Sequence, residues 1–229
     1  MRTFLLSFVY LIIVLLAIPV LLVCMVGRWE SPIMTIGKGA VSIGLKILGI
    51  SVEVTGIERI ESDRAYVFLA NHLSFLDGPL IIRLIPQPVK VIFKKEIMRL
   101  PVIGLAMKQV GFIPVSRRSG ETGGGSVNKA TRVIKEKGCS FLVFPEGTRS
   151  RNGKLQAFRS GGFYLALNSR VPIIPITIRG THELMQKGSF FVKKGKIKVV
   201  FHAAVSTQEY NEDSLPQLMD KVRDIIAYG

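Results

Sequence analysis

The 229-residue chain holds three histidines, and His72 is the one with a carboxylate at a spacing that chemistry can use. In AYVFLANHLSFLDGPLI an apolar strand is expected to end at Ala70, with Asn71 and His72 in the turn that follows. Asp77, four intervening residues on, falls in the first turn of a helix. From there its carboxylate folds back to accept a hydrogen bond from one imidazole nitrogen, leaving the other neutral and able to take a proton from a hydroxyl. The orienting role is that of the aspartate in a serine-protease triad. Taken in isolation, such a pair reads more readily as a surface-turn histidine beside a helix-start carboxylate, so the rest of the chain must decide. His182, in the loop IRGTHE, and His202, alternating within the last strand, have no spaced partner. Ordinary surface or core roles are expected of both.

A second segment adds to the pair. FPEGTRS, residues 144–150, follows the apolar strand SFLVF, and a strand end of this type is where an α/β fold carries its ligand loops. Arg149 offers a planar fork of donors suited to phosphate, and Glu146 can anchor that arginine or a substrate hydroxyl. No Gly-x-Ser-x-Gly elbow occurs, so an acyl-enzyme is not required, although Ser74 stands close to His72 in sequence. Cys24 and Cys139 have no metal-ligand spacing, and a chain of this size does not depend on one disulfide, which points to a reducing compartment. The run GETGGG at 120–125 precedes a helix but lacks a following Gly-Lys-Ser/Thr, and reads as a mobile loop.

The elements that must hold these residues are legible as short Val-, Ile- and Phe-rich runs alternating with helical patterns. Strands are expected at SVEVTG, AYVFLA, VKVIFKK, FIPVSR, SFLVFPE, PIIPITIRG and KIKVVFHAAV, bounded by Gly, Pro or charge. Helices are expected at 75–84, 103–110, 127–137, 161–168 and 215–227. The alternation argues an α/β fold: a mixed, mostly buried sheet of about seven strands flanked by helices.

Residues 1–50 differ in kind. Positions 4–26 carry no charged side chain, and a helix of that length reaches roughly 34 Å, enough to cross a hydrocarbon core. It exceeds the apolar region of a cleaved signal peptide, and Pro19 is expected to bend or interrupt it, so that it crosses the bilayer or dips into one leaflet. A second apolar stretch, 33–50, carries Lys38 and Lys46 near one face. It fits an interfacial helix whose lysines reach lipid phosphates, or an amphipathic helix packed on the following domain. The division expected is 1–50 as hydrophobic anchoring helices and 51–229 as the catalytic domain. A net charge of +15 calls for a polyanionic partner, which nucleic acid or an anionic membrane would satisfy. The apolar N-terminus and the ordered motifs favour the membrane.

Taken together, these blocks resemble the glycerophospholipid acyltransferase family, in particular its bacterial 1-acylglycerol-3-phosphate acyltransferases. NHLSFLD (71–77) is similar to the family's His-Asp block, GFIPVSR (111–117) to its second, FPEGTRS (144–150) to its third and VPIIPI (171–176) to its fourth. FRSGGFYLAL (158–167) also fits. The resemblance covers roughly residues 50–205. It implies His72 as general base and Asp77 as its orienter. It implies Arg117, Glu146, Gly147, Thr148 and Arg149 around a glycerol phosphate, with Lys94, Lys95 and Arg159 nearby, and Pro172 and Pro175 on the acyl-donor side. The implied reaction is transfer of a fatty acyl group from acyl-CoA or acyl carrier protein to the sn-2 hydroxyl of lysophosphatidate, giving phosphatidic acid. No cofactor or metal is implied beyond the thioester's own carrier. The implied partners are anionic membrane lipid and no nucleic acid, at the cytoplasmic face of the inner membrane.

Overall fold

Each of the seven apolar runs read as a strand pairs into one sheet in the computed structural model, which describes residues 2–27, 29–115, 124–189 and 191–229. In chain order the elements are α1 (Arg2–Gly27), α2 (Ser31–Leu48), β1 (Ile50–Thr55), β2 (Val67–Ala70), α3 (Asp77–Leu84), β3 (Val89–Lys94), α4 (Pro101–Gln109), β4 (Ile113–Val115), α5 (Gly124–Lys137), β5 (Ser140–Val143), α6 (Gly161–Ser169), β6 (Ile173–Arg179), α7 (Thr181–Leu184), β7 (Gly195–Phe201) and α8 (Leu215–Tyr228). The strand order is β1-β7-β6-β2-β5-β3-β4. From β6 to β4 all neighbours are parallel, β7 runs antiparallel to β6, and β1 lies parallel to β7.

The central strands are continuous apolar runs because both faces are covered. Tyr66, Phe68 and Ala70 point to one face, into a core shared with α2, α3 and residues of the α4 region. Val67 and Leu69 point to the other, against α5, α6 and α8. Phe68, Leu69, Phe141 and Leu142 are fully buried, and each such side chain contributes about 1.5–3 kcal/mol by leaving water. This double burial at β2 and β5 makes the centre of the sheet a rigid base for the loops at its strand ends.

Several expectations change at the edges. The last strand stops at Phe201 instead of running to Val205, and Pro175 supplies the reason. His202 N donates to Pro175 O (3.0 Å), but proline has no N–H to return the bond, so the ladder ends there. Val205 re-pairs with Ile173 as an isolated bridge. His202 therefore lies just outside the strand, with its imidazole 2.9 Å from Thr177 Oγ1. His182 lies in α7, a short helix that was read as loop, and its ring packs against Gly153. Gly124 and Gly125 open α5, while residues 120–123 of the expected mobile loop lie outside the described residues.

The N-terminal helices join the same core. Helix α2 buries Ile33, Leu45 and Leu48 and ends at Gly49, whose φ of 68° lets its N–H reach back to Leu45 O and Lys46 O. Lys38 does not extend towards lipid: its ammonium donates to Ile85 O (2.8 Å) at the C-terminal end of α3, and burial lowers its pKa. Of the two readings of this stretch, packing on the domain is the one observed. Helix α1 is continuous through Pro19, and some of its side chains lie outside the described residues. Among the described residues no helix is long and apolar enough to cross a membrane.

Candidate active site

Two neighbouring parallel strands, β2 and β5, end side by side, and the two chemistry-bearing segments leave the sheet from those ends. Asn71 fixes the first exit. Buried at the end of β2, its amide donates to Ile178 O (2.9 Å) and accepts from Ile178 N (2.7 Å), as a backbone peptide would. The next residue, His72, is thus aimed by a side chain locked to β6.

Asp77 then completes the pair. Its Oδ2 accepts three hydrogen bonds, from His72 Nδ1 (2.9 Å), Leu73 N (2.7 Å) and Ser74 N (2.7 Å). A carboxylate only accepts, so Nδ1 carries the proton and Nε2 keeps its lone pair. The amides of Leu73 and Ser74 turn towards that carboxylate, and α3 starts at Asp77 and not at Phe75. Asp77 has no solvent exposure, and its Oδ1 is buried without a partner among the described residues. The His72 side chain is 21% exposed and stacks on Phe144, ring centroids 4.1 Å apart. The imidazole is held on its face and at one nitrogen, with the other nitrogen left for substrate.

Glu146 lies against the backbone of His72. It was grouped with the substrate-binding residues, yet it is 3% exposed and both of its oxygens are occupied within the protein. Oε1 accepts from His72 N (2.7 Å), and Oε2 from Gln156 N (2.9 Å) and Gln156 Nε2 (3.1 Å). A phosphate would also be repelled by this carboxylate, whose pKa burial pushes up despite the bonds from His72 and Gln156. Ser150 N donates to His72 O (2.8 Å), so the 144–150 loop clamps both backbone groups of the histidine. The tight turn that makes this possible closes with Gly147 N on Phe144 O (2.9 Å), Gly147 having a φ of 66° and the Arg159 side chain 3.0 Å from where a Cβ would be. Glu146→Gln sets an amide N–H₂ against a backbone donor. It is expected to cost about 1–3 kcal/mol of stability and to lower kcat more than it raises either KM, as read by denaturant unfolding and steady-state kinetics.

The basic residues divide. Arg149 is brought to the pair: its guanidinium lies over the Phe75 ring at 5.7 Å, and Phe75 is half exposed beside His72 in sequence. Arg159 is exposed and lies against Gly147, with its backbone N on Pro145 O (2.8 Å). Thr148 is half-buried, its carbonyl accepting from Gln156 Nε2 (3.2 Å). Lys94 and Lys95 leave the C-terminal end of β3, both exposed, with Lys94 paired to Glu96 (3.3 Å). Arg117 lies outside the described residues. Pro172 and Pro175 are buried in the sheet beside β2, with Pro172 O accepting from Val67 N (3.1 Å) and Pro175 in register with Leu69.

The alternative nucleophiles are poorly disposed. Ser74 is fully buried and its hydroxyl donates to Met185 O (2.8 Å). Cys139 precedes β5, at the opposite end of the strands from His72, and burial raises its thiol pKa. Among the described residues no group of three or more His, Cys, Asp or Glu side chains is gathered to hold a metal. What the site can do is take a proton at His72 Nε2 from a hydroxyl.

Asn71, Phe144 and Gln156 were not singled out from sequence. An asparagine at the end of an apolar strand was the one local signal available; Phe144 meets His72 from a neighbouring strand end, and Gln156 reaches Glu146 only through the turn of their shared loop.

Known proteins resemble this chain in sequence and in fold. The family model described as Acyltransferase matches residues 51–179, more than half of the chain. A 1-acyl-sn-glycerol-3-phosphate acyltransferase of Limnanthes douglasii is 32% identical over 179 residues, 78% of this chain and 63% of that protein. One of Borreliella burgdorferi is 28% identical over 190 residues, 83% of this chain and 76% of that protein. The chain thus spans less than two thirds of the length of the plant relative. The crystal structure of the 1-acyl-sn-glycerophosphate (LPA) acyltransferase PlsC from Thermotoga maritima superposes with a TM-score of 0.81 at 26% identity, covering 99% of this chain and 92% of that one. With its His-Asp and Pro-Glu-Gly-Thr-Arg blocks meeting at adjacent strand ends of a matching fold, this chain belongs to the Acyltransferase family.

Proposed function

We propose that the protein is an O-acyltransferase that moves a fatty acyl group from a thioester to the sn-2 hydroxyl of 1-acylglycerol-3-phosphate, forming phosphatidic acid. The observation that carries this reading is the 2.9 Å bond between His72 Nδ1 and Asp77 Oδ2, with the carboxylate held by two backbone amides. His72 Nε2 takes the hydroxyl proton as that oxygen bonds to the thioester carbonyl carbon. The C–S bond then breaks, and the imidazolium returns the proton to the departing thiolate. Asp77 stabilises the imidazolium between the two events, and no covalent enzyme intermediate forms. Arg149 and, by the motif resemblance, Arg117 bind the phosphate, with Arg159, Lys94 and Lys95 contributing positive potential. The donor is acyl-CoA or acyl carrier protein, and no further cofactor takes part.

The acceptor's hydrocarbon chain lies in a bilayer, so the enzyme works at an interface. Residues 1–50 serve as the anchor and 51–229 as the catalytic domain at the cytoplasmic face of the inner membrane. Support comes from α1, where Leu11, Leu15, Leu22, Val23 and Val26 are exposed, and from the net charge of +15, which attracts anionic lipid. The intact protein is expected to stay with the membrane in about 1 M salt, where electrostatics are screened within roughly 3 Å, and to leave it only with detergent. Release by salt alone would remove the apolar anchor from the account. The reaction itself is tested with a labelled acyl thioester offered lysophosphatidate, lysophosphatidylcholine and lysophosphatidylglycerol as acceptors. Preferential formation of phosphatidate is expected; equal use of all three would assign a less selective lysophospholipid acyltransferase.

A further inference from the structure

Among the described residues the sheet ends at β4, and the helices that flank this edge leave a cleft of about 390 Å³. Phe112, Pro114 and Lys90 line it from the sheet, Lys108 from α4, and Lys129 and Lys137 from α5. Lys90 is buried: its ammonium donates to Val110 O (2.6 Å) and pairs with Glu30, in the turn between α1 and α2. That carboxylate answers one of the four lysines. Lys108, Lys129 and Lys137 are exposed and take part in no ion pair among the described residues. A cleft lined by one sign of charge concentrates its field on whatever enters, here an anion.

The place of the cleft selects the kind of anion. Lys90 stands at the start of β3, Lys108 ends α4 just before β4, and Lys137 ends α5 just before β5. These strands run parallel to β2, whose far end carries His72, so the lysines lie away from the reacting groups. Their neighbour is the apolar helix α1. Gln109, beside Lys108, donates through Nε2 to Cys24 O (3.1 Å), and Leu22, Val23, Val26 and Trp29 are exposed around that point. Cations beside exposed apolar side chains match a phospholipid, charged at its headgroup and apolar in its chains. We propose that this cleft binds the phosphate of an anionic phospholipid headgroup, with the lipid's chains along the exposed end of α1. The inference rests on residues 1–50 being a membrane anchor, and it gives the domain a second, headgroup-selective hold on the bilayer.

Trp29 is the chain's single tryptophan and adjoins Glu30, so its fluorescence reports lipid chains that arrive beside the cleft. The full-length enzyme in uncharged detergent micelles is titrated with phosphatidylglycerol or phosphatidylcholine, each brominated on its chains, and quenching of Trp29 is followed. Half-quenching of the wild type is expected at a phosphatidylglycerol fraction about tenfold or more below that of phosphatidylcholine. The triple variant Lys108→Gln, Lys129→Gln, Lys137→Gln is expected to lose this preference, and the same three positions changed to arginine to keep it. A second triple variant, Lys194→Gln, Lys196→Gln, Lys198→Gln, loses equal charge around β7 at the other side of the sheet, and is expected to keep the preference too. Equal quenching of the wild type by both lipids would overturn the inference and leave the anchor standing. So would a preference that survives the loss of Lys108, Lys129 and Lys137, or one lost equally in the β7 variant, which would reflect net charge and not the cleft. A preference abolished by millimolar inorganic phosphate at constant ionic strength would seat a free anion there and overturn it as well. Quenching by neither lipid would overturn the inference together with the membrane reading beneath it.

Discussion

His72→Ala is expected to lower turnover by about 10²–10⁴-fold while leaving both Michaelis constants near those of wild type. The imidazole contributes through its proton transfer, and the groups that hold substrate are elsewhere in the site. Asp77→Asn separates orientation from charge. Its carbonyl oxygen can still accept the bonds from His72 Nδ1, Leu73 N and Ser74 N, which converge on a single oxygen. Its amide nitrogen then occupies the buried position where Oδ1 has no partner among the described residues. The fold is retained, the negative charge facing the imidazolium is lost, and kcat is expected to fall by about 10²-fold or more. Steady-state kinetics on both variants, with thermal unfolding as the control for folding, separates this from collapse of the site. A folded His72→Ala enzyme with near-normal turnover would end the general-base mechanism.

Arg149→Ala is expected to act on the other kinetic constant. Loss of a charge-assisted phosphate contact of about 1.5–3 kcal/mol corresponds to a rise of roughly 10- to 150-fold in KM for lysophosphatidate. The effect on kcat and on donor KM is expected to be small, because Arg149 meets the acceptor's headgroup and not the reacting carbonyl. Phosphodiester acceptors, with less charge to lose, should show a smaller change. Comparing KM for lysophosphatidate and lysophosphatidylcholine in the two enzymes measures this directly. An unchanged lysophosphatidate KM would remove the phosphate role from Arg149.

The parts of this arrangement that were legible in the sequence are the local ones. His72 and Asp77 meet because one turn separates them, and the contact follows from chain geometry. The buried strands declared themselves by unbroken apolar runs, since β2 and β5 must be apolar on both faces. Contacts made across the sheet were hidden. Glu146 reaches the His72 amide across 74 residues, and only the adjacency of β2 and β5 brings them together. From sequence its carboxylate looked like a substrate contact; in the fold it is buried and accepts from one donor of His72 and two of Gln156. Lys38 left two readings open for a related reason, because an amphipathic helix places lysines on one face whether they meet lipid or a carbonyl. The antiparallel turn of β7, and its end opposite Pro175, depend on which strand β6 faces, which no local pattern records.

The most direct measurement follows the labelled acyl group from the thioester in the presence and absence of lysophosphatidate, with phosphatidate, free fatty acid and released thiol quantified together. For the wild type, thiol and phosphatidate are expected to rise in equal amounts only when the acceptor is present, and His72→Ala is expected to form neither. Fatty acid released at the same rate without acceptor, or phosphatidate formed undiminished by His72→Ala, would contradict direct acyl transfer through His72.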